Sequence, residues 1–479
     1  GRDRLRLHLA LTLAPLVRDD LAQLIADAFR CKPERAAPLA QLVHEKTGGN
    51  PFFAIQFLSA LANEELLVFD HGKGEWCWDL ERIRAEGYTD NIVELMVGKL
   101  GRLPVESQIA LQKLACLGNA AKVSTLSLVC GTAEAQVHAD LFEAVRAELV
   151  TPQEGSYRFI HDRVQEAAYS LIPEESRAET HLRIGRLLVA HTPPEEREEA
   201  IFEIVNQLNR GVALITSRDE REQLAELNLI AGKRAKASTA YASALKYLTT
   251  GVGLLPDDAW ERLHELKFGL ELHRAECEFL TGEFALAEER LIVLSNRGAD
   301  ETEQAPVACL RIDLYTMTDL ERAVAVCLEY LSRVGIQWPA HPGKEDALRE
   351  YERFRSLLGS RSIEELIGLP LASDAAALAT IHVLVRMVPP ASTLDPNLPC
   401  LLMCRAVSLI LEHGNCDASC YAYAELATFI GPYFGDYRAG FRLAKLAYEL
   451  VERLGFRRFE AKTYHVCGFL MAWSSHVRA

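Results

Sequence analysis

The chain has 479 residues, 49% hydrophobic and 25% charged, which is ordinary globular composition with room for about three domains. Its net charge of −15 argues against free nucleic acid or an anionic membrane as the main partner, since phosphate attracts the opposite sign. No apolar run reaches the roughly 18 residues that span a bilayer. The opening GRDRLRLHLALTLAPL has neither a cleavage site nor a methionine, so a cut fragment is expected. Twelve cysteines without an export signal point to a reducing compartment.

In chain order, RDDLAQLIADAFR places Leu21, Leu24, Ile25, Ala28 and Phe29 on one helical face. APLAQLVHEKT forms a second helix, ended by Gly48-Gly49. Pro51 opens a third, because its missing N–H has no partner in a first turn. LLVFD-HGKG-EWCWDL, near 66–79, reads as a β-hairpin, and DNIVELMVGKLGRL as the next helix. Helices at 105–117, 123–130 and 134–147 then precede two short strands around Gln153-Glu154-Gly155-Ser156, the outline of a winged helix. HDRVQEAAYSLI starts another helix.

From about 196 the helices repeat. Gly232, Ala244, Gly251 and Pro256 match the small-residue and proline positions of a tetratricopeptide (TPR) repeat. TGEFALAEERL supplies its inter-helix turn with Ala287, MTDLERAVAVCLEYL repeats it with Ala323, and FGDYRAGFRLAKLAYEL with Gly440. Small residues there let paired helices approach closely, and stacked pairs build a superhelix. The spacing is irregular, and 340–430 is degenerate.

HEKTGGNPFF, residues 44–53, has phosphate-loop residue types in the wrong order: Lys46 and Thr47 precede Gly48 and Gly49. A Walker loop puts its lysine after the glycines. GNAAKVS lacks the second glycine, and no dinucleotide fingerprint appears. Nor does H-E-x-x-H, G-x-S-x-G, a kinase H-R-D…D-F-G set or a paired-carboxylate motif. Carboxylates such as REYERF and PEEREE read as solvated helix faces. Residues 101–195 hold 9 Lys/Arg against 12 Asp/Glu, and AEAQVHADLFEAVRAEL has one arginine and four acids, so this winged helix is not expected to bind DNA. Cys400, Cys404, Cys416 and Cys420 could supply four thiolates to zinc. Their pairs lie one helical turn apart in apolar runs without knuckle turns, which favours packing as small hydrophobes.

Eight segments in order resemble one family: KTGGNPFF, DNIVELM, LQKLACLGN, RFIHDRVQEAAYSLIP, HLRIGRLL, LNLIAGKRAKASTAY, EELIGLP and GDYRAGF. They are similar to the middle of large bacterial signalling kinases. Those carry a serine/threonine kinase, a STAND-class (AAA-related) ATPase, TPR-like repeats, a GAF sensor and a histidine kinase of the two-component type. The resemblance implies a mainly α chain, a helical lid plus winged helix followed by a TPR-like α-superhelix. It implies a lid at 1–103, the winged helix at 104–195 and the repeat array at 196–479, truncated at its end. The Walker loops would lie upstream of Gly1, and the chain would stop within a repeat helix.

By the same resemblance, Gly49-Asn50-Pro51 is the lid turn that packs on a nucleotide. Glycine permits close approach and proline brings no competing donor. His161-Asp162 resembles a methionine-histidine-aspartate motif, with Ile160 in place of methionine, whose histidine reaches the diphosphate of ADP. ATP or ADP would be the cofactor of the intact protein, and no metal or catalytic residue is implied in this chain. Implied partners are proteins or other domains of the same chain, with no nucleic acid and no membrane, a homo-oligomer in the ATP state, and a cytoplasmic location. A helix-to-helix turn and a helix cap are the plainer readings of the two motifs. A STAND transcription regulator or a plain TPR scaffold is the alternative function.

Overall fold

In the computed structural model, residues 14–85 and 92–474 are described. The chain is mainly α-helical and divides into two compact units after Ser217. The opening residues 1–13 and the tail from 475 lie outside the described residues, as do Asp90 and Asn91 of the DNIVELM segment.

The first unit opens with α1 (Arg18–Phe29), α2 (Pro33–Thr47) and α3 (Pro51–Asn63), then β1 (Leu67–Asp70) and β2 (Glu75–Trp78), paired antiparallel from Leu67–Trp78 to Asp70–Glu75. The buried face of α1 is Leu21, Ala22, Ile25 and Ala26. Ala28, expected in that stripe, is exposed, because the helix turns its inner face toward α2 through Ala22 and Ala26 instead. A short α4 (Leu80–Ala85) follows, and α5 (Ile92–Gly101) leads into the next core.

Next come α6 (Val105–Leu117), β3 (Ala120–Lys122), α7 (Val123–Cys130), α8 (Glu134–Arg146), β4 (Val150–Gln153) and β5 (Ser156–Phe159). The antiparallel sheet has the order β3-β5-β4. Three helices and a three-stranded sheet thus alternate here, and β3 is a strand that the hydrophobic pattern did not announce. Leu111, Leu114, Leu126, Leu141 and Phe159 fill its interior, each almost fully buried. α9 (Asp162–Ser170), α10 (Glu174–His191) and α11 (Arg197–Arg210) complete the unit. The division falls after Ser217, not after residue 195, because α11 packs back on this unit. A Cβ on Gly185 of α10 would lie 2.6 Å from Leu208 Cδ2, so the two helices sit in direct contact. From α11, Gln207 reaches the Cys116 carbonyl at 2.8 Å.

The second unit runs α12 (Arg218–Ala237), α13 (Tyr241–Leu254), α14 (Ala259–Arg262), α15 (His264–Leu280), α16 (Phe284–Ser295), α17 (Glu301–Thr316), α18 (Leu320–Arg333), α19 (Lys344–Leu358), α20 (Ala375–Arg386), α21 (Val388–Leu394), α22 (Leu398–His413), α23 (Ser419–Phe434), α24 (Tyr437–Leu454) and α25 (Glu460–Ser474). The small residues read from the sequence sit at helix crossings. An added Cβ would lie 2.6 Å from Leu248 Cγ at Gly232, 2.7 Å from Leu270 Cδ2 at Gly251 and 2.9 Å from the Ala427 carbonyl at Gly440. Ala244, Ala287 and Ala323 are fully buried. Asp319 and Asp436 cap α18 and α24 through the Arg322 and Ala439 amides.

The stretch 340–430, without a clear repeat signal, contributes many fully buried side chains to the core of this unit. Cys400, Cys404, Cys416 and Cys420 are buried there, and burial holds the Cys404, Cys416 and Cys420 thiols above their ordinary range. Among the described residues, no group of three or more His, Cys, Asp or Glu is placed to hold a metal ion. Among them too, no single helix is long and apolar enough to cross a membrane, although α20 and α21 together, bent by 43°, would meet the length and composition.

Candidate functional site

The turn at Gly49-Asn50-Pro51 is built by three local rules. Gly48 ends α2 in the left-handed region, φ 60°, with its N–H on the His44 carbonyl at 2.9 Å. Gly49 follows at φ 77°, and its carbonyl accepts from the Leu16 amide at 2.8 Å. A Cβ at Gly49 would lie 2.2 Å from the Leu16 carbonyl oxygen, so the close backbone approach here is to the chain's own segment before α1. Asn50 caps α3, its side chain accepting from the Phe53 amide at 3.3 Å. Pro51 occupies the first helical position with its surface exposed.

His161 caps α9 in the same way. Its backbone is extended, φ −146° and ψ 149°, and Nδ1 accepts from the Arg163 amide at 3.2 Å. In a ring whose Nδ1 accepts that bond the proton sits on Nε2, for which no described residue provides a hydrogen-bond partner. The Asp162 carboxylate also meets Nδ1 and accepts from the Arg163 amide at 2.8 Å. Asp162 is otherwise solvent-facing, in a first turn where the helix dipole favours an acid. Ile160, in the place of the family's methionine, is 42% exposed and contributes little to the core.

The two motifs, far apart in sequence, meet. Phe52, the residue after Pro51, stacks on the His161 ring at 5.3 Å between centroids and 8° between planes. Phe53 approaches the same ring at 4.7 Å, tilted by 58°. The side of α3 that carries Phe52 continues one turn on with Gln56. Gln56 Oε1 accepts from Lys99 Nζ, which also donates to the Ala147 carbonyl at the end of α8, at 2.8 Å. Burial lowers the pKa of Lys99, with Glu148 acting in the opposite sense. At the far end of α3, Glu64 pairs with Arg102 at 2.6 Å. Phe52, Phe53 and Lys99 were not singled out from the sequence. The only trace there is that an aromatic pair follows the turn directly.

No family model matches the chain. Hybrid signal transduction histidine kinase G of Dictyostelium discoideum is 25% identical over an alignment that takes in 90% of this chain. The chain spans about 15% of that relative's length. Among solved structures, a Signal Transduction ATPase with Numerous Domains (STAND) protein with a tetratricopeptide repeat sensor from Pyrococcus horikoshii is similar. It aligns over 96% of this chain and 61% of its own at 14% identity and a TM-score of 0.35, too distant a likeness to carry an argument.

Proposed function

We propose that this chain is a regulatory segment of a multi-domain signal-transduction kinase, in which the first unit reads nucleotide state and the helical array of the second takes protein partners. The observation that carries the reading is the stacking of Phe52 on His161, which joins the Gly49-Asn50-Pro51 turn to the His161-Asp162 cap. A nucleotide's phosphates would be held by a loop outside residues 1–479, since no phosphate loop is present in the sequence. Pro51 would offer an apolar edge to the bound nucleotide, and the His161 Nε2–H would donate to a diphosphate. ADP would keep the turn and the cap together. Exchange for ATP would part them and change the oligomeric state. The histidine kinase named in the Dictyostelium relative supports the signalling context.

The test joins the chain to a STAND-class ATPase core and compares ADP retention in wild type, His161→Ala and His161→Asn. Asparagine keeps a cap acceptor and removes the imidazole. Both variants should lose bound ADP faster than wild type. Retention unchanged in both would remove His161 from the site. Calorimetry of residues 1–479 alone should show no tight ATP binding, and micromolar affinity would place a complete site within this chain.

The second reading is that both motifs only cap and turn helices. The Nδ1 bond to the Arg163 amide favours it for His161, and the Leu16–Gly49 bond favours it for the turn.

A further inference from the structure

Helix α9 joins the candidate site to α10 and α11. Its first end is His161, stacked on Phe52. In its last turn, Tyr169 O–H donates to His181 Nε2 at 3.0 Å. His181 Nδ1–H donates to Gln207 Oε1 at 2.6 Å, and Gln207 Nε2 donates to the Cys116 carbonyl at 2.8 Å. The carbonyl at the end of this chain can only accept, so it fixes the orientation of the amide. The amide in turn fixes the histidine tautomer, and every bond has one direction. His181 and Gln207 are 1% and 4% exposed, so water cannot replace a lost partner at no cost.

Two further groups face the ring assembly. Arg210 Nη1 lies 3.4 Å from the same Nε2 and opposes a second proton there. The Arg177 guanidinium sits 4.9 Å from the Tyr169 ring centroid. Between its ends α9 is held by Gln165, which donates to the Ala115 carbonyl at 3.3 Å, and by fully buried Val164, Ala167 and Ala168. The helix is about 13 Å long. Clamped at both ends, such a helix moves as a rod, and its ends are not independent.

We propose that α9 is a relay: when His161 leaves its stack on Phe52, the helix shifts and Tyr169 withdraws from His181, loosening the α10–α11 pair. The relay's regulatory meaning rests on the nucleotide-sensing reading, whereas the relay itself operates without nucleotide. It gives the first unit a route from the candidate site to the last helices before Ser217.

Hydrogen exchange by mass spectrometry on the 479-residue chain tests it, with His161→Asn, Phe52→Leu, Tyr169→Phe and the His161→Asn/Tyr169→Phe pair. Asparagine keeps the cap, and leucine keeps apolar volume without the ring stack. Each single variant should raise exchange across residues 174–210 several-fold. The pair should exceed the larger single variant by little, although sites this far apart ordinarily add. Exchange at 174–210 unchanged in both His161→Asn and Phe52→Leu would overturn the relay, as would two effects that simply multiply. Failure of ADP retention to depend on His161 would sink nucleotide sensing and leave this result standing. Unchanged exchange would sink the relay even if ADP retention did depend on His161.

Discussion

Gly49→Ala is the sharpest perturbation of the turn. Two terms act. At φ 77° an L-residue is in the left-handed region, at a cost of about 1–2 kcal/mol. Its Cβ would also stand 2.2 Å from the Leu16 carbonyl oxygen, a backbone atom with no rotamer to move. Relieving that overlap means withdrawing residues 14–17 and giving up the Leu16–Gly49 hydrogen bond, about 1 kcal/mol more. The sum is about 2–3 kcal/mol. Gly48→Ala is the matched control, with φ 60° and nothing within 4 Å of its added Cβ, so only the first term applies. Hydrogen exchange of peptides covering 14–29 and 50–63 reads both. Gly49→Ala should raise exchange clearly more than Gly48→Ala, with the excess concentrated around Leu16. Equal effects would refute the reasoning that the chain before α1 closes on this glycine.

The remaining predictions are of different kinds. Gly232→Ala gains helix propensity of about 1 kcal/mol but drives a methyl to within 2.6 Å of Leu248 Cγ, where overpacking costs about 1–3 kcal/mol. The expected outcome is a lower Tm, and a higher one would refute the tight α12–α13 crossing. His181 has its pKa lowered by burial, with the Gln207 bond raising it and Arg210 lowering it. The folded state then holds fewer protons than the unfolded state below the ordinary histidine value of about 6.5, so stability present above that pH is lost as pH falls. Urea unfolding from pH 7.5 to 5.5 should show this decline, flattened in His181→Gln. Burial pushes the thiols of Cys116 and Cys277 up to about 11, so both should resist iodoacetamide at pH 8 in the native chain while half-buried Cys31 and Cys77 react first.

The hairpin at 67–78, the three helices between 105 and 147 and the small residues at helix crossings were legible because each is a local rule with a period or a turn behind it. Ala120–Lys122 was not. Three residues without alternation carry no strand signal, and this one exists because Tyr157 and its neighbours on β5 offer an open edge. Nor was the boundary after Ser217 legible, because α11 is fastened to the first unit by Gln207 on a carbonyl that has no sequence signature. Between 340 and 430 the repeat pattern fades for a related reason. Helices such as α22 are buried on nearly every side, so their apolar residues show no stripe.

The candidate site shows the same limit more sharply. Gly49, Asn50, Pro51, His161 and Asp162 could be named from motifs, but nothing local says that Phe52 lies flat on His161. The contact also recasts the choice between cap and sensor. The cap uses Nδ1, which accepts from the Arg163 amide and also meets the Asp162 carboxylate, while Nε2 is the nitrogen turned to no described partner. Capping and sensing thus occupy different atoms of one ring. Alanine at 161 removes both roles, whereas asparagine keeps a cap acceptor and loses the imidazole Nε2 and the ring stack. If both variants lose ADP alike while alanine lowers Tm further than asparagine, the roles are separable, as the two nitrogens imply. If asparagine retains ADP as well as histidine does, the cap alone accounts for His161.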